Sequence, residues 1–114
     1  RVDRRQRQMC IRDSCKNKLR ASDIFGRMGG EEFAILMPEA NEAGAQLVAE
    51  RIRQAVSEPI TFDGDSLTIT VSLGVTSLSK EHFNLGKMLW CADRALYQAK
   101  EKGRNQVVVG CKDV

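Results

Sequence analysis

Apolar and polar residues alternate strictly in one segment of the chain, residues 67–76. Leu, Ile, Val, Leu and Val take the odd positions, and Thr, Thr, Ser, Gly and Thr take the even ones. A period of two is typical of a strand with one face inward, so we predict one long strand here. Just before it, residues 60–62 and an Asp-Gly-Asp turn at 63–65 predict a shorter strand that leads into the long one.

Two other segments carry apolar residues at helical spacing. Asn41 is placed to cap a helix that runs to about residue 57, with Glu42 in its first turn, where the helix dipole favours an acid. A second helix is predicted over residues 85–102, ended by Gly103. The positions predicted to face the core are Leu47, Val48, Ile52, Ala55 and Val56 in the first helix, and Leu85, Met88, Leu89, Ala92, Leu96 and Ala99 in the second.

A strand-like segment at 24–28, which opens with the apolar Ile24 and Phe25, and an apolar run at 33–37 flank a Gly-Gly-Glu-Glu sequence at 29–32. Paired glycines supply the positive φ that a tight hairpin turn needs. The second run is apolar without alternation, which predicts a strand buried on both faces, and Pro38 closes it. A short strand at 106–109 completes the order hairpin, helix, strand, helix, strand. This order predicts an α+β fold with an antiparallel-rich sheet and helices packed on it.

Composition narrows the class of protein. The 114 residues leave room for one domain with a modest core. The 18 basic and 15 acidic side chains are too balanced to indicate nucleic acid as a partner, and no apolar run approaches the ~20 residues of a membrane span. The four cysteines lack CxxC spacing, and His82 is the only histidine, which argues against zinc and against serine-type catalysis. We therefore predict free thiols and a cytoplasmic location.

Residues 1–14 differ from the rest of the chain. They are densely basic, lack an initiating Met and have no evident helical or strand period. A solvated basic tail and an arm for nucleic acid or membrane are two interpretations. The segment is also similar to translated adapter read-through at the end of an assembled sequence, and we favour that interpretation. We thus predict an artefactual or disordered segment at 1–14 and a domain at 15–114 that opens with the end of a helix at 15–20.

Glu31 and Glu32 are the first candidates for chemistry. Two acids side by side at a turn tip repel each other and are not needed for folding, although exposed acids at a hairpin tip are common. A cation that they help to hold, such as an oxygen-seeking Mg²⁺ that travels with phosphates, is the functional interpretation.

Two further sets of residues have a structural and a functional interpretation. On the last helix Asp93, Tyr97, Lys100 and then Arg104 recur at spacings of four, three and four, which fits either a solvated face with basic charge at a helix C-terminus or a phosphate clamp. An Arg-x-x-Asp pair at 20 and 23 fits a surface ion pair, or a site that reads an anion and a guanine edge.

Residues 27–33, Arg-Met-Gly-Gly-Glu-Glu-Phe, resemble the signature of the GGDEF domain in its GGEEF form. This is the family of bacterial diguanylate cyclases, which condense two GTP into cyclic di-GMP and release pyrophosphate. The resemblance runs from about residue 15 to residue 110. It includes Ala-Glu-Arg-Ile-Arg at 49–53, Thr-Val-Ser-Leu-Gly-Val at 70–75, the run from Ala92 to Lys100, and Gly-Arg-Asn at 103–105.

The resemblance implies a nucleotide-cyclase-like fold with a ferredoxin-like core, Mg²⁺ or Mn²⁺ as cofactor, and a homodimer. It implies that Gly29 and Gly30 form the turn against which GTP lies. Glu31 would be a metal ligand and the candidate base, and Glu32 the second catalytic acid. By the same resemblance, Lys100 and Arg104 would contact the triphosphate, and Arg20, Asp23 and Arg51 would form the inhibitory site that binds cyclic di-GMP.

The sequence departs from the family in one respect. The family's earlier strand and helix carry an Asp-x-Asp-x-Phe-Lys-type segment, which supplies a metal carboxylate and guanine contacts, and this chain has no such segment. We therefore expect the first strand and helix to be missing, the chain to be a catalytically inactive part of a cyclase, and the parent to be cytoplasmic or tethered to the inner membrane. Two alternatives remain open: a non-catalytic cyclic di-GMP receptor that uses the Arg-x-x-Asp site, and a GTP-binding domain that regulates an attached phosphodiesterase.

Overall fold

Three helices and six short strands make up residues 3–78 and 84–111, the residues that the computed structural model describes. β1 pairs with β2 and β3 with β4 in antiparallel hairpins, and β5 pairs with β6 in parallel. The predicted α+β class is confirmed. In chain order the elements are α1 Arg4–Lys16, β1 Ile24–Gly29, β2 Glu32–Leu36, α2 Glu42–Ser57, β3 Ile60–Phe62, β4 Asp65–Leu67, β5 Leu73–Val75, α3 Leu85–Glu101 and β6 Val107–Val109.

Both long helices begin at asparagine caps. The Asn41 side chain accepts a hydrogen bond from the Gly44 N–H at 2.7 Å, as predicted, and the Asn84 side chain accepts one from the Lys87 N–H at 2.8 Å. Each cap satisfies an N–H that has no partner within its helix. Local sequence therefore fixes where α2 and α3 start.

The core-facing stripe of α3 is displaced from the prediction. Ala99 is buried, as predicted, but Leu85 is 56% exposed, and the other two buried positions, Cys91 and Ala95, were not predicted. All three buried residues are small. The cause lies in β5, because a Cβ on Gly74 would overlap the Ala92 carbonyl of α3. The helix approaches the strand too closely for large side chains, so small residues face the sheet. In α2 the prediction holds for Ile52 and Val56, which are buried, and is wrong for Leu47, which is exposed.

The main core lies where α1, α2 and the β1–β2 hairpin meet. Its buried members are Cys15, Ile52 and Val56, and half-buried apolar residues from the hairpin and from the segment through β5 pack around them. These surrounding residues are Ile11, Leu19, Phe25, Ile35, Val48, Ile69, Val71 and Leu73.

The long strand predicted at 67–76 is wrong as a continuous element. Only Leu67 and residues 73–75 are in strands, because residues 68–72 have no ladder partner among the described residues. The side chains of residues 68–71 still alternate between exposed and half-buried, as the sequence pattern predicts. The alternation of apolar and polar residues indicates which face of the segment is turned inward, but it does not indicate whether a neighbouring strand is present.

The β1–β2 hairpin is also less buried than predicted. Ile24 and Leu36 are cross-strand partners, and they are 59% and 43% exposed. Phe25 and Ile35, on the opposite face, pack against the core. A two-stranded sheet covered on one side has one apolar face left open, so burial on both faces was the wrong expectation.

Helix α1 contradicts the expectation that residues 1–14 lack regular structure, whereas the helix end predicted within 15–20 is found at Lys16. It runs from Arg4 to Lys16 and opens with a capping box, in which Asp3 and Gln6 exchange side-chain-to-backbone hydrogen bonds of 2.8 and 2.9 Å. Within residues 3–23 no strand precedes β1. The domain boundary at residue 15 stays a prediction, although α1 crosses that position.

Two cysteines are not free thiols, contrary to the prediction. Cys91 in α3 is disulfide-bonded to Cys111, which follows β6, and Cys10 and Cys15 are free. Burial raises the pKa of the Cys15 thiol to about 11, which keeps it protonated and unreactive at neutral pH. None of the helices in the described part of the chain combines the length and apolar character needed to cross a bilayer.

Candidate functional site

The turn between β1 and β2 presents the two adjacent acids. Gly29 and Gly30 have φ angles of 147° and 56°, and residues other than glycine rarely adopt such values. A Cβ on either residue would meet no atom within 4 Å, so the space above the turn is open. The Phe25 and Phe33 rings, whose centroids are 5.1 Å apart, stack on each other and join the two strands. A ligand can therefore approach the backbone of this turn closely.

Glu31 at the turn is engaged by α1. Its Oε1 accepts from Arg7 Nη2 at 2.9 Å and Nε at 3.0 Å, and its Oε2 lies 3.9 Å from Arg4 Nε. The neighbouring Gly30 carbonyl accepts from Gln8 Nε2 at 2.9 Å and from Arg27 Nε at 3.1 Å. The first two turns of α1 thus rest on the candidate site, and no motif in the sequence indicates this contact.

Glu32 faces a different helix. Its Oε2 lies 3.9 Å from Lys100 Nζ in the last turn of α3, and both side chains are partly exposed. The structure therefore brings together one of the two acids and one of the two cations assigned to the triphosphate. Arg104 is exposed, and its guanidinium has no hydrogen bond or ion pair with the rest of the described chain.

Arg20 and Asp23 form a closed pair. Arg20 donates from Nη2 to Asp23 Oδ1 and from its backbone N–H to Asp23 Oδ2, both at 2.9 Å, and Nη2 also donates to the Pro38 carbonyl at 2.7 Å. The hydrogen bonds from Arg20 lower the pKa of the Asp23 carboxyl. Arg51, the third residue assigned to this site, is exposed on α2 and forms no hydrogen bond or ion pair with either of them.

The carboxylates at the turn do not fit a divalent-metal site as they stand. No group of three or more His, Cys, Asp or Glu side chains gathers in residues 3–78 and 84–111. Mg²⁺ demands near-octahedral oxygen coordination, whereas Glu31 offers one carboxylate that already binds two arginines.

A further polar network lies just beyond the C-terminal end of α3, and sequence reasoning missed it. Arg53 of α2 binds Glu50 through two hydrogen bonds of 2.8 and 2.6 Å and reaches Asn105 Oδ1 at 3.0 Å. Its hydrogen bonds lower the pKa of the Glu50 carboxyl. The Asn105 N–H donates to Ser72 Oγ at 3.1 Å. These residues surround the segment that carries Arg104.

Comparison with known proteins matches this arrangement to one family. The sequence profile described as the GGDEF domain of diguanylate cyclases matches residues 10–106. Diguanylate cyclase A from Treponema denticola is 38% identical over 95 residues, which are 82% of this chain and 26% of that protein. The chain thus spans about a quarter of the length of this relative.

Solved structures of the same family also resemble this chain in fold. The active GGEEF domain of a diguanylate cyclase from Vibrio cholerae superposes with a TM-score of 0.88 at 28% identity, covering 96% of this chain and 69% of that one. The GGDEF domain of DgcB from Caulobacter crescentus, solved in complex with cyclic di-GMP, gives a TM-score of 0.83 at 27% identity, covering 91% of this chain and 63% of that one.

Proposed function

Because the chain belongs to the GGDEF family of diguanylate cyclases, we propose that it is the part of a cyclase domain that holds the triphosphate of GTP and binds the cyclic di-GMP product. The reaction forms two phosphodiester bonds: the 3′-hydroxyl of each GTP attacks the α-phosphate of the other, and each attack releases one pyrophosphate. Two domains that face each other in a homodimer, each holding one GTP, would align the two reactants.

The single observation that carries the proposal is the meeting of the Gly-Gly-Glu-Glu turn with the end of α3. Lys100 lies 3.9 Å from Glu32, the cross-strand partner of Gly29, and a Cβ on Gly29 or Gly30 would meet no atom within 4 Å. Phosphoryl transfer depends on positioning and on neutralising phosphate charge. In the proposed arrangement Lys100 and Arg104 neutralise the triphosphate, and the glycines let it approach the backbone.

The two acids have separate proposed roles. Glu31 accepts the proton of the attacking hydroxyl, and in a domain with further ligands it would also hold the metal. Glu32 holds Lys100 until a triphosphate replaces it. Cyclases of this family use divalent metal ions, but Glu31 here is paired with Arg7 and Arg4. We therefore propose that the 114-residue chain does not turn over GTP alone, and that activity belongs to a domain with further metal ligands.

Cyclic di-GMP reception is the second candidate function. It is favoured by the Arg20–Asp23 pair, in which hydrogen bonds of 2.9 Å hold the guanidinium and the carboxylate side by side. An arginine in this setting binds phosphate and the carboxylate accepts from a guanine edge. Arg51 would complete the site by reorienting its exposed side chain.

One pair of experiments separates the two functions. Residues 20–110 are grafted into full-length diguanylate cyclase A of Treponema denticola, and cyclic di-GMP production from GTP and Mg²⁺ is measured by liquid chromatography. We expect activity that Glu31→Gln abolishes. In parallel, calorimetry measures cyclic di-GMP binding to the 114-residue chain and to its Asp23→Asn variant. A folded but inactive graft, with binding that depends on Asp23, would refute the cyclase function and leave the receptor.

A further inference from the structure

Three consecutive residues after α3 have positive φ angles: Gly103 at 115°, Arg104 at 65° and Asn105 at 49°. Glycine adopts this region freely and asparagine tolerates it, but an arginine does not favour it, because its Cβ crowds the backbone. Strain at a non-glycine residue persists only where the surroundings hold it, and such residues concentrate at ligand sites. Contacts from the rest of the fold must therefore hold Arg104 at its positive φ.

The backbone is anchored on both sides of Arg104. On the α3 side, the helix ends in a Schellman motif in which the Arg104 N–H donates to the Ala99 carbonyl at 2.8 Å. On the other side, the Asn105 N–H donates to Ser72 Oγ at 3.1 Å. The Arg104 guanidinium, by contrast, has no hydrogen bond or ion pair within the described residues. The fold fixes the main chain of this residue and leaves its charge available.

A third anchor comes from α2. Arg53 Nη1 donates to the Asn105 side-chain oxygen at 3.0 Å across 52 residues of sequence. The Arg53 Nε and Nη2 groups donate to the two oxygens of Glu50, and a bidentate carboxylate fixes the plane of a guanidinium. Glu50 therefore leaves Nη1 directed at Asn105. The Arg53 side chain is only 21% exposed, which limits competition from water.

We propose that Arg53 is a positioning residue for polyphosphate binding: through Asn105 it holds the strained backbone of Arg104 and so presents the Arg104 guanidinium to the triphosphate. The inference rests on the proposed function, which assigns Lys100 and Arg104 to that group. A cation on a backbone that is already fixed loses less conformational entropy on binding. Glu50 acts indirectly, because it orients the Arg53 side chain.

The test is the affinity of the 114-residue chain for inorganic tripolyphosphate, measured by isothermal titration calorimetry. Arg104→Ala removes charged hydrogen bonds and should weaken binding roughly ten- to hundredfold. Asn105→Gly should weaken it roughly three- to tenfold, because Arg104 is then less ordered before binding. This second change alters no charge and relieves a positive φ, so electrostatics and strain do not explain the loss. Gln46 is exposed on α2, so Gln46→Ala is the control and should bind tripolyphosphate as tightly as the unsubstituted 114-residue chain does.

Two comparisons separate positioning from charge. Glu50→Ala removes a negative charge, so simple attraction predicts tighter binding of the anion, whereas positioning predicts weaker binding. In an Arg104→Ala background, Asn105→Gly should have no further effect, because it acts through Arg104. Additive losses, or tighter binding by Glu50→Ala, would overturn the proposal.

The outcomes also distinguish this proposal from the function on which it rests. If Arg104→Ala weakens binding and Asn105→Gly does not, the triphosphate site stands and the role of Arg53 is refuted. If Arg104→Ala and Lys100→Ala both bind as the parent does, the triphosphate site fails and the positioning role fails with it. The backbone amide resonance of Arg104 is a second readout: Arg53→Met should shift it and Gln46→Ala should not.

Discussion

Substituting Gly74 by alanine tests the packing that places α3 against the sheet. A Cβ at this position would overlap the Ala92 carbonyl and lie 2.6 Å from the Leu96 amide nitrogen. Both neighbours are backbone atoms, so no side-chain rotation relieves the clash. Since ordinary contact begins near 3.4 Å, the helix must move away from β5 by about 1 Å. That movement would also loosen the contacts of the buried Ala95 and Ala99.

The expected loss follows from this geometry. Overpacking in a close-packed interior costs about 1–3 kcal/mol, and a rigid backbone neighbour places Gly74→Ala near the middle, at about 2 kcal/mol. For a domain of this size the loss corresponds to a fall in Tm of about 10 °C. A displaced α3 should also lengthen the Lys100–Glu32 contact, which links the packing to the candidate site.

Urea denaturation followed by far-UV circular dichroism measures the loss, with Gly26→Ala as the matched control. Gly26 lies in β1, and a Cβ there would meet no atom within 4 Å, so its free energy of unfolding should change by less than about 0.5 kcal/mol. If Gly74→Ala costs no more than Gly26→Ala, α3 does not approach β5 as closely as described, and the explanation for its small-residue stripe is wrong.

Two further predictions concern the disulfide and the closed ion pair. Reduction by dithiothreitol should lower the free energy of unfolding by about 3 kcal/mol, since the Cys91–Cys111 bond closes a loop with a sequence separation of 20, and Cys111→Ser should abolish the effect of reduction. Asp23 has a pKa lowered by Arg20 in the folded chain, so its contribution to stability is complete above the unfolded pKa of about 3.9 and is lost as pH falls through the folded value. The stability difference between the parent and Asp23→Asn should therefore shrink below about pH 4, and a difference unchanged down to pH 2 would contradict this.

Features set by local sequence could be predicted. The cap at Asn41 is a contact between residues three apart, and the positive φ at Gly29 and Gly30 is a property of those residues. The positions predicted for helix α2 and for the hairpin turn are accordingly correct. The capping box at Asp3 is also local. The basic residues that follow it, however, obscure the spacing of apolar residues by which a helix is predicted.

Features that depend on partners distant in sequence could not be predicted. The stripe of α3 is decided by Gly74, and no property of the helix itself reports how closely a strand will approach. The Cys91–Cys111 spacing matches no disulfide motif, and the Arg53–Asn105 hydrogen bond spans 52 residues. At the candidate site the same division applies: the turn is local, whereas the cations that bind Glu31 and Glu32 come from α1 and α3.

The opposite orientation of the two signature acids leads to the last prediction. Glu31 binds Arg7 of α1, whereas Glu32 lies 3.9 Å from Lys100 of α3, so a polyphosphate that binds Lys100 competes with Glu32 for it. A partly exposed pair at 3.9 Å is worth at most about 1 kcal/mol.

Glu32→Gln should therefore tighten the binding of inorganic tripolyphosphate by up to about fivefold, measured by calorimetry at fixed ionic strength. Glu101→Gln is the matched control, because it removes the same charge from the residue beside Lys100, and Glu101 has no ion pair within the described part of the chain. If both variants gain the same affinity for tripolyphosphate, the loss of one negative charge near the site accounts for the gain. Competition between Glu32 and the phosphate would then be refuted, because only the loss of a specific partner distinguishes the two positions.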